Sequence, residues 1–190
     1  MSAALDLLSE RGEDGVSLRD VTDAAEANVS AVSYHFGSLK ALFDAAIEDA
    51  LQRYLEAQFE SVSAVPLGST VEDVAAAFAR PMVHALANGG QELAAIRLVA
   101  RVAMDPPPGW ARFDSSFGRI TATVVDLLRA QSPTRTDSEL IFRTRCAAGM
   151  LNWLVLARLG AELKNSSAKQ IERRLVPVLA GALGAPSSAA

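Results

Sequence analysis

The tightest constraint on this chain lies between Ser17 and Ser38, where two helix starts are marked 11 residues apart. Ser17-Leu18-Arg19-Asp20 has capping-box spacing: the hydroxyl can accept from the amide three residues on, and the acid there can return the bond. A helix is therefore expected from Leu18 to about Ala25, followed by a short break at Glu26-Ala27. Asn28 is a favourable N-cap for a second helix and Gly37 a natural stop, leaving about two turns between them. Helical periodicity places Val32 and Phe36 on one face with Val29 beside them, while Ser30, Ser33 and Tyr34 project elsewhere. No acid occurs from Asn28 through Ser38. Two short helices joined by so tight a turn make a helix-turn-helix, whose second member can lie in the major groove of duplex DNA.

Three blocks around this unit keep their mutual spacing: Ala4-Leu5-Asp6-Leu7-Leu8-Ser9-Glu10-Arg11-Gly12, then Val16 through Val21, then Ser33-Tyr34-His35-Phe36-Gly37-Ser38 with Ala41-Leu42. Over roughly the first 47 residues the chain resembles the N-terminal domain of the tetracycline-repressor-like (TetR) family. The resemblance implies an all-helical homodimer, three helices for DNA binding, and a C-terminal regulatory domain that binds a small molecule and releases the operator. Three departures stand out. Glu26 occupies a turn position where such families carry Gly, and a positive φ there would cost a non-Gly residue on the order of 1 kcal/mol. Leu39 stands where the family has Lys, with Lys40 one place later, which moves the expected phosphate contact about 100° around its helix. Only Met1-Ser2-Ala3 precede the first helix, where the family leads one to expect a longer, often basic arm.

Composition sets the outer limits. With 190 residues, 50% hydrophobic and 21% charged, the chain can bury a substantial core. The single Cys146 excludes an internal disulfide, and with only His35 and His84 no zinc-type cluster is expected. No secretory leader is visible, and the longest nearly apolar run, Cys146 to Ala157, is too short to span a bilayer, so a cytoplasmic protein is expected. The charge is unusual for a DNA-binding head. Residues 1–47 carry Arg11, Arg19 and Lys40 against Asp6, Glu10, Glu13, Asp14, Asp20, Asp23, Glu26 and Asp44, a net charge of −5. Phosphate neutralisation supplies most non-specific affinity, so weak non-specific binding and reliance on direct contacts are expected.

In chain order, residues 3–11 form a helix ended by Gly12, and Leu18, Val21, Ala25, Val32 and Phe36 complete a small three-helix core. From Leu39 a long helix runs to about Ser63, bridging a head (1–47) and a regulatory domain (48–184). Ser69-Thr70-Val71-Glu72 reads as a capping box for a fifth helix, kinked at Pro81 and ended by Asn88-Gly89-Gly90. Further helices are expected over 92–103, 110–130, 137–160 and 168–183, about nine in all, with a disordered tail at 185–190. The eighth is apolar on almost every side from Cys146 to Leu159, and Pro177 interrupts the ninth. A helix apolar all round needs partners all round, so Asp137–Gly160 and Ala168–Leu183 are expected to pair with their copies across a two-fold axis. The alternative is that the eighth is the central core helix of a monomer.

The candidate DNA contacts are Ser30, Ser33, Tyr34 and His35 toward bases or phosphate, Ala31 toward a thymine methyl, and Asn28 and Val29 at the start of the helix. Ser17, Arg19, Ser38 and Lys40 are candidates for phosphate, although Arg19 has acids nearby to pair with. Phe59, Phe78, Met82, Trp110, Phe113, Phe117, Asn152 and Trp153 lie on apolar faces and are the candidate lining of a ligand pocket. Arg97 and Arg101, one turn apart, are candidate anion contacts, the plainer reading being a solvated pair. Asn152 in a greasy run demands a partner when buried. No catalytic arrangement, phosphate-cradling loop or cofactor motif is present, and no cofactor is expected. The residues thus predict an effector-released regulator of double-stranded DNA, more a repressor than an activator; the alternative is a small-molecule-binding helical protein with weak or lost operator affinity.

Overall fold

One long helix, α4 (Leu39–Ser63), carries the rest of the molecule. Before it come α1 (Ser2–Arg11), α2 (Leu18–Ala24) and α3 (Val29–Phe36); after it come α5 (Val71–Asn88), α6 (Gly90–Met104), α7 (Asp114–Arg129), α8 (Asp137–Leu156) and α9 (Ala168–Gly184). The structure, a computed structural model, describes residues 1–106, 110–156, 163 and 165–186, apart from the side chains of Trp110 and Arg112. Among the described residues the fold is all-helical. The expected stretch of the eighth helix from 157 to 160 and the tail beyond Pro186 lie outside them.

The helix starts sit where side chains can satisfy free amides. Ser17, Asn28, Ser38 and Ser167 each accept from an amide of the first turn, and Ser17/Asp20 closes the expected capping box. For α5 the expected cap is displaced by one residue: Thr70, not Ser69, is the N-cap, and its box is closed by Asp73. Gly37 ends α3 at φ 77°, a conformation that glycine adopts without a Cβ clash. Glu26 is held at φ 49° in the turn between α2 and α3, so the strain expected at that position is present.

Ala4, Leu5, Leu8, Val21, Val32, Leu42 and Phe43 form the core behind the head, with Leu18 and Phe36 packed at its edge. Ala25 is not part of it: α2 ends at Ala24, Ala25 is its exposed C-cap, and the buried position nearby is Thr22. The larger core gathers Leu51, Leu55, Val62, Met82, Val83, Leu128, Leu140, Leu151, Ile171, Leu179 and Leu183 from α4, α5, α7, α8 and α9. At its far end α9 lies so close to α5 that a Cβ on Gly184 would meet Val71 Cγ1 at 3.1 Å.

Pro81 lies inside α5, as expected, and cannot donate to the carbonyl of Ala77 one turn earlier. That oxygen is satisfied instead from α4, where Ser61 Oγ donates to it at 2.8 Å. Gln58 Nε2 donates to the neighbouring Phe78 carbonyl at 3.1 Å, and Arg80 Nη1 to Ser61 Oγ at 3.2 Å. Ser61 and Gln58 are both buried, so the α4–α5 contact is a polar seam in an apolar core, each buried group partnered.

Arginines close several helix ends, where carbonyls lack intrahelical partners and a positive charge favours the dipole. Arg135 donates to the carbonyls of Leu183 and Gly184 at the end of α9, and Arg143 to that of Ala182. Arg101 on α6 donates to the carbonyls of Leu8 and Ser9 at the end of α1, both at 3.4 Å, fastening the head to the regulatory helices.

Candidate nucleic-acid interface and regulatory cavity

α3 is anchored by Val32, which is buried, and Phe36, which is half-buried; the rest of its surface is offered to solvent. Tyr34 is 86% exposed, its ring set edge-on to His35 at 5.0 Å between centroids. Asn28, Val29, Ser30, Ser33 and His35 are exposed with it, and Ala31 is half-buried. Val29 was expected beside the packing face, yet it is 47% exposed at the first turn of α3, where Val32 is the buried residue of the helix. The face therefore combines hydroxyls, an imidazole, a phenol and small apolar contacts, the chemistry suited to base edges and thymine methyls. Asn28 Oδ1 is occupied, accepting from the Ser30 amide at 2.9 Å.

The flanking phosphate candidates are exposed but already engaged. Lys40 Nζ meets Asp44 Oδ1 at 2.9 Å, Arg19 Nε meets Asp23 Oδ2 at 3.6 Å, and Arg11 Nη1 meets Asp20 Oδ1 at 4.0 Å. The hydrogen bond to Asp44 pushes the Lys40 ammonium above its ordinary value, and bonds from Ser17 hold the Asp20 carboxyl below the usual range. Ser17 spends its hydroxyl on that carboxylate. Ser38 accepts from the Ala41 amide at 3.1 Å as the N-cap of α4, which leaves its own proton to donate. Every Lys and Arg of residues 1–47 thus faces a carboxylate. Exposed pairs of this kind are weak and screened by salt, and a phosphate can displace them.

A cavity of ≈690 Å³ opens between α4, α5, α6, α7 and α8. Of the residues expected to line a pocket, Phe78, Phe117 and Asn152 do so. The others are placed elsewhere. Met82 is sealed in the core and Phe113 is buried, neither reaching the cavity; Phe59 lies under the Arg119 guanidinium at 3.8 Å. Arg97 is exposed, Arg101 caps α1, and Trp153 is 56% exposed on the outer face of α8. The Trp110 side chain lies outside the described residues.

Tyr54, Gln58, Thr121 and Thr144 also line the cavity and were not singled out from the sequence. Gln58 carried a readable signal, a polar side chain one turn from Leu55 on an apolar stripe, the same test that picks out Asn152. Tyr54 carried none, because an aromatic at helical spacing looks like any core residue. Burial pushes its phenol well above the ordinary tyrosine value, so it presents a neutral hydroxyl. At the mouth, Arg129 bridges Asp126 at 2.6 Å and Asp137 at 2.7 Å, tying the end of α7 to the start of α8.

An acid-free reading helix at one end and a walled cavity at the other, joined by α4, define a DNA-binding regulator of the helix-turn-helix class. Residues 1–46 match the model of bacterial regulatory proteins of the tetR family, and residues 76–182 that of the tetracyclin repressor-like C-terminal domain. The chain belongs to the TetR family of transcriptional regulators, a family of DNA-binding proteins rather than enzymes. Among solved structures it is similar to the TetR family regulator PfmR from Thermus thermophilus (TM-score 0.69, 16% identity, 94% of each chain covered). A TetR-like regulator from Rhodococcus sp. RHA1 aligns with TM-score 0.68 and 18% identity over 97% of this chain and 93% of that one. The TetR member SCO3833 from Streptomyces coelicolor gives 0.60 and 24% over 98% and 90%. At these identities the likeness establishes the fold. Comparison with curated proteins gives no match. No described helix is long and apolar enough to cross a membrane.

Proposed function

We propose that this chain acts in the cytoplasm as a homodimeric repressor that reads a palindromic operator through Asn28 to His35 of each subunit and is released by a small molecule bound among α4 to α8. The observation that carries this reading is the outward face of α3: exposed, free of acids, and topped by Tyr34 at 86% exposure. Ser38 and the displaceable cations Arg19 and Lys40 supply phosphate contacts at its edges.

The dimer is inferred from the outer faces of α8 and α9. Phe142 (67% exposed), Trp153 (56%) and Val178 (53%) stand in solvent in a single chain, with Met150 and Leu156 beside them. An exposed apolar stripe of this size marks an interface. A four-helix bundle of α8 and α9 with their copies covers it and leaves two α3 helices to meet half-sites about one helical turn (~34 Å) or a multiple apart. The division into a head of residues 1–47 and a regulatory part of 48–184 follows, with α4 as the rod between them. Binding at the cavity, walled by apolar groups with Gln58, Thr121, Thr144 and Asn152 as neutral polar contacts, shifts the two heads only by preferring one of their arrangements.

The test is fluorescence anisotropy with duplexes from the DNA upstream of the chain's own reading frame. One dimer should bind per palindrome, and Tyr34→Ala should weaken binding by about 1–3 kcal/mol with the dimer intact. Unchanged affinity removes Tyr34 from the interface. The pairing of Arg11, Arg19 and Lys40 with acids favours the second reading, a ligand-binding protein with weak operator affinity. That reading predicts no sequence-specific binding even at low salt.

A further inference from the structure

We propose that the molecule taken up by the ≈690 Å³ cavity is an uncharged, unbranched aliphatic chain with a hydrogen-bonding group at one end, of the long-chain alcohol type. Shape is the first ground. α7 lines the cavity from Asp114 to Arg129, and α8 from Asp137 to Asn152. The two helices pack along each other, and Arg129 at the end of α7 is tied to Asp137 at the start of α8 at 2.7 Å. Asp114 and Asn152 therefore mark the opposite end, roughly 22 Å away at 1.5 Å per residue. A volume of ≈690 Å³ spread over that length leaves a cross-section of roughly 30 Å², enough for one extended chain and too little for a compact cage of rings.

Charge is the second. The lining has three acids, Asp114, Asp126 and Asp137, against two arginines, Arg129 and Arg145, and all five are exposed. Arg129 is taken up by Asp126 and Asp137, Asp114 sits in the first turn of α7 where the helix dipole favours it, and Arg145 stands in water. An anion would enter a lining with an excess of acid, and a cation would shed its hydration without a buried carboxylate to meet. The enclosed polar groups are neutral, and most are spent: Tyr54 bonds Gln58, Gln58 Nε2 donates to the Phe78 carbonyl at 3.1 Å, and Thr144 Oγ1 to that of Leu140 at 2.8 Å. Asn152, half-buried at one end, makes no hydrogen bond among the described residues, and its amide can both donate to and accept from a hydroxyl. This inference rests on reading the cavity as a ligand site and names what fills it.

The experiment is isothermal titration of the full-length protein with 1-hexanol, 1-octanol and 1-decanol, and with three ten-carbon comparators: 1-adamantanol, decanoate and decylamine. Affinity should rise by about fourfold for each added methylene, the factor for burying one in an apolar site, and each comparator should bind about tenfold or more weakly than 1-decanol. Asn152→Leu should weaken every alcohol by about threefold to tenfold and keep the dependence on length. Ile141→Phe, which narrows the end near Asp137, should take more from 1-decanol than from 1-hexanol. Unaltered melting temperature verifies that each variant is folded. The proposal is overturned by absent 1-decanol binding, by affinity flat along the series, by a comparator that binds as well, or by an Asn152→Leu variant that binds every alcohol like the parent. Operator anisotropy in the same solutions reads the effector role separately: 1-decanol that binds as expected without releasing DNA upholds the ligand class and refutes the effector role.

Discussion

If Ser61 replaces the donor that Pro81 removes, the two residues must be energetically coupled, and the structure fixes the sign. In Ser61→Ala the Ala77 carbonyl, buried and bonded at 2.8 Å, loses its donor, because Pro81 has no N–H to offer. An orphaned buried acceptor costs about 1–3 kcal/mol. In a Pro81→Ala background the amide at position 81 can take over that carbonyl, and Ser61→Ala should then cost less than about 1 kcal/mol, the net worth of an ordinary hydrogen bond. A coupling of about 1–2 kcal/mol is therefore expected from the double-mutant cycle. Urea unfolding of wild type, both single variants and the double variant measures it, at one fixed protomer concentration because dimerisation contributes to stability. By thermal melting, each kcal/mol corresponds to about 2–4 °C for a chain of this size. Equal losses from Ser61→Ala in both backgrounds, agreeing to within about 0.5 kcal/mol, refute the replacement argument.

Removing a head cation should be visible in salt dependence: Lys40→Gln takes away a phosphate contact, so the slope of log affinity against log salt should flatten by about 1 per head in operator titrations. An unchanged slope places Lys40 away from DNA. Trp153→Asp puts a charge in the exposed stripe of α8 and should shift the dimer to monomer in sedimentation, a loss of about 2 kcal/mol or more at an interface centre. Glu26→Gly relieves the positive φ at about 1–2 kcal/mol, partly offset by about 0.4–1 kcal/mol of added unfolded-state freedom, so the urea midpoint should rise slightly. A lower midpoint means that the Glu26 side chain stabilises the turn by a route other than its backbone.

The sequence by itself determined what local chemistry controls. Caps at Ser17 and Asn28, stops at Gly12 and Gly37, and the apolar period of α4 follow from single residues and their spacing, so the helix order and the reading helix were legible without coordinates. The strained turn at Glu26 was legible through the family resemblance, which puts Gly at that position, and not from local chemistry. Tertiary structure alone decided which apolar and charged side chains meet. Arg101 could hold an anion or cap a helix, and only the docking of α1 on α6 puts the Leu8 and Ser9 carbonyls within its reach. Met82 and Phe117 both sit on apolar stripes, yet one is sealed and the other faces the cavity, because a cavity exists where helices from distant parts of the chain fail to fill the space between them. Periodicity tells a residue which way to face on its own helix; what stands opposite is set by packing across the fold.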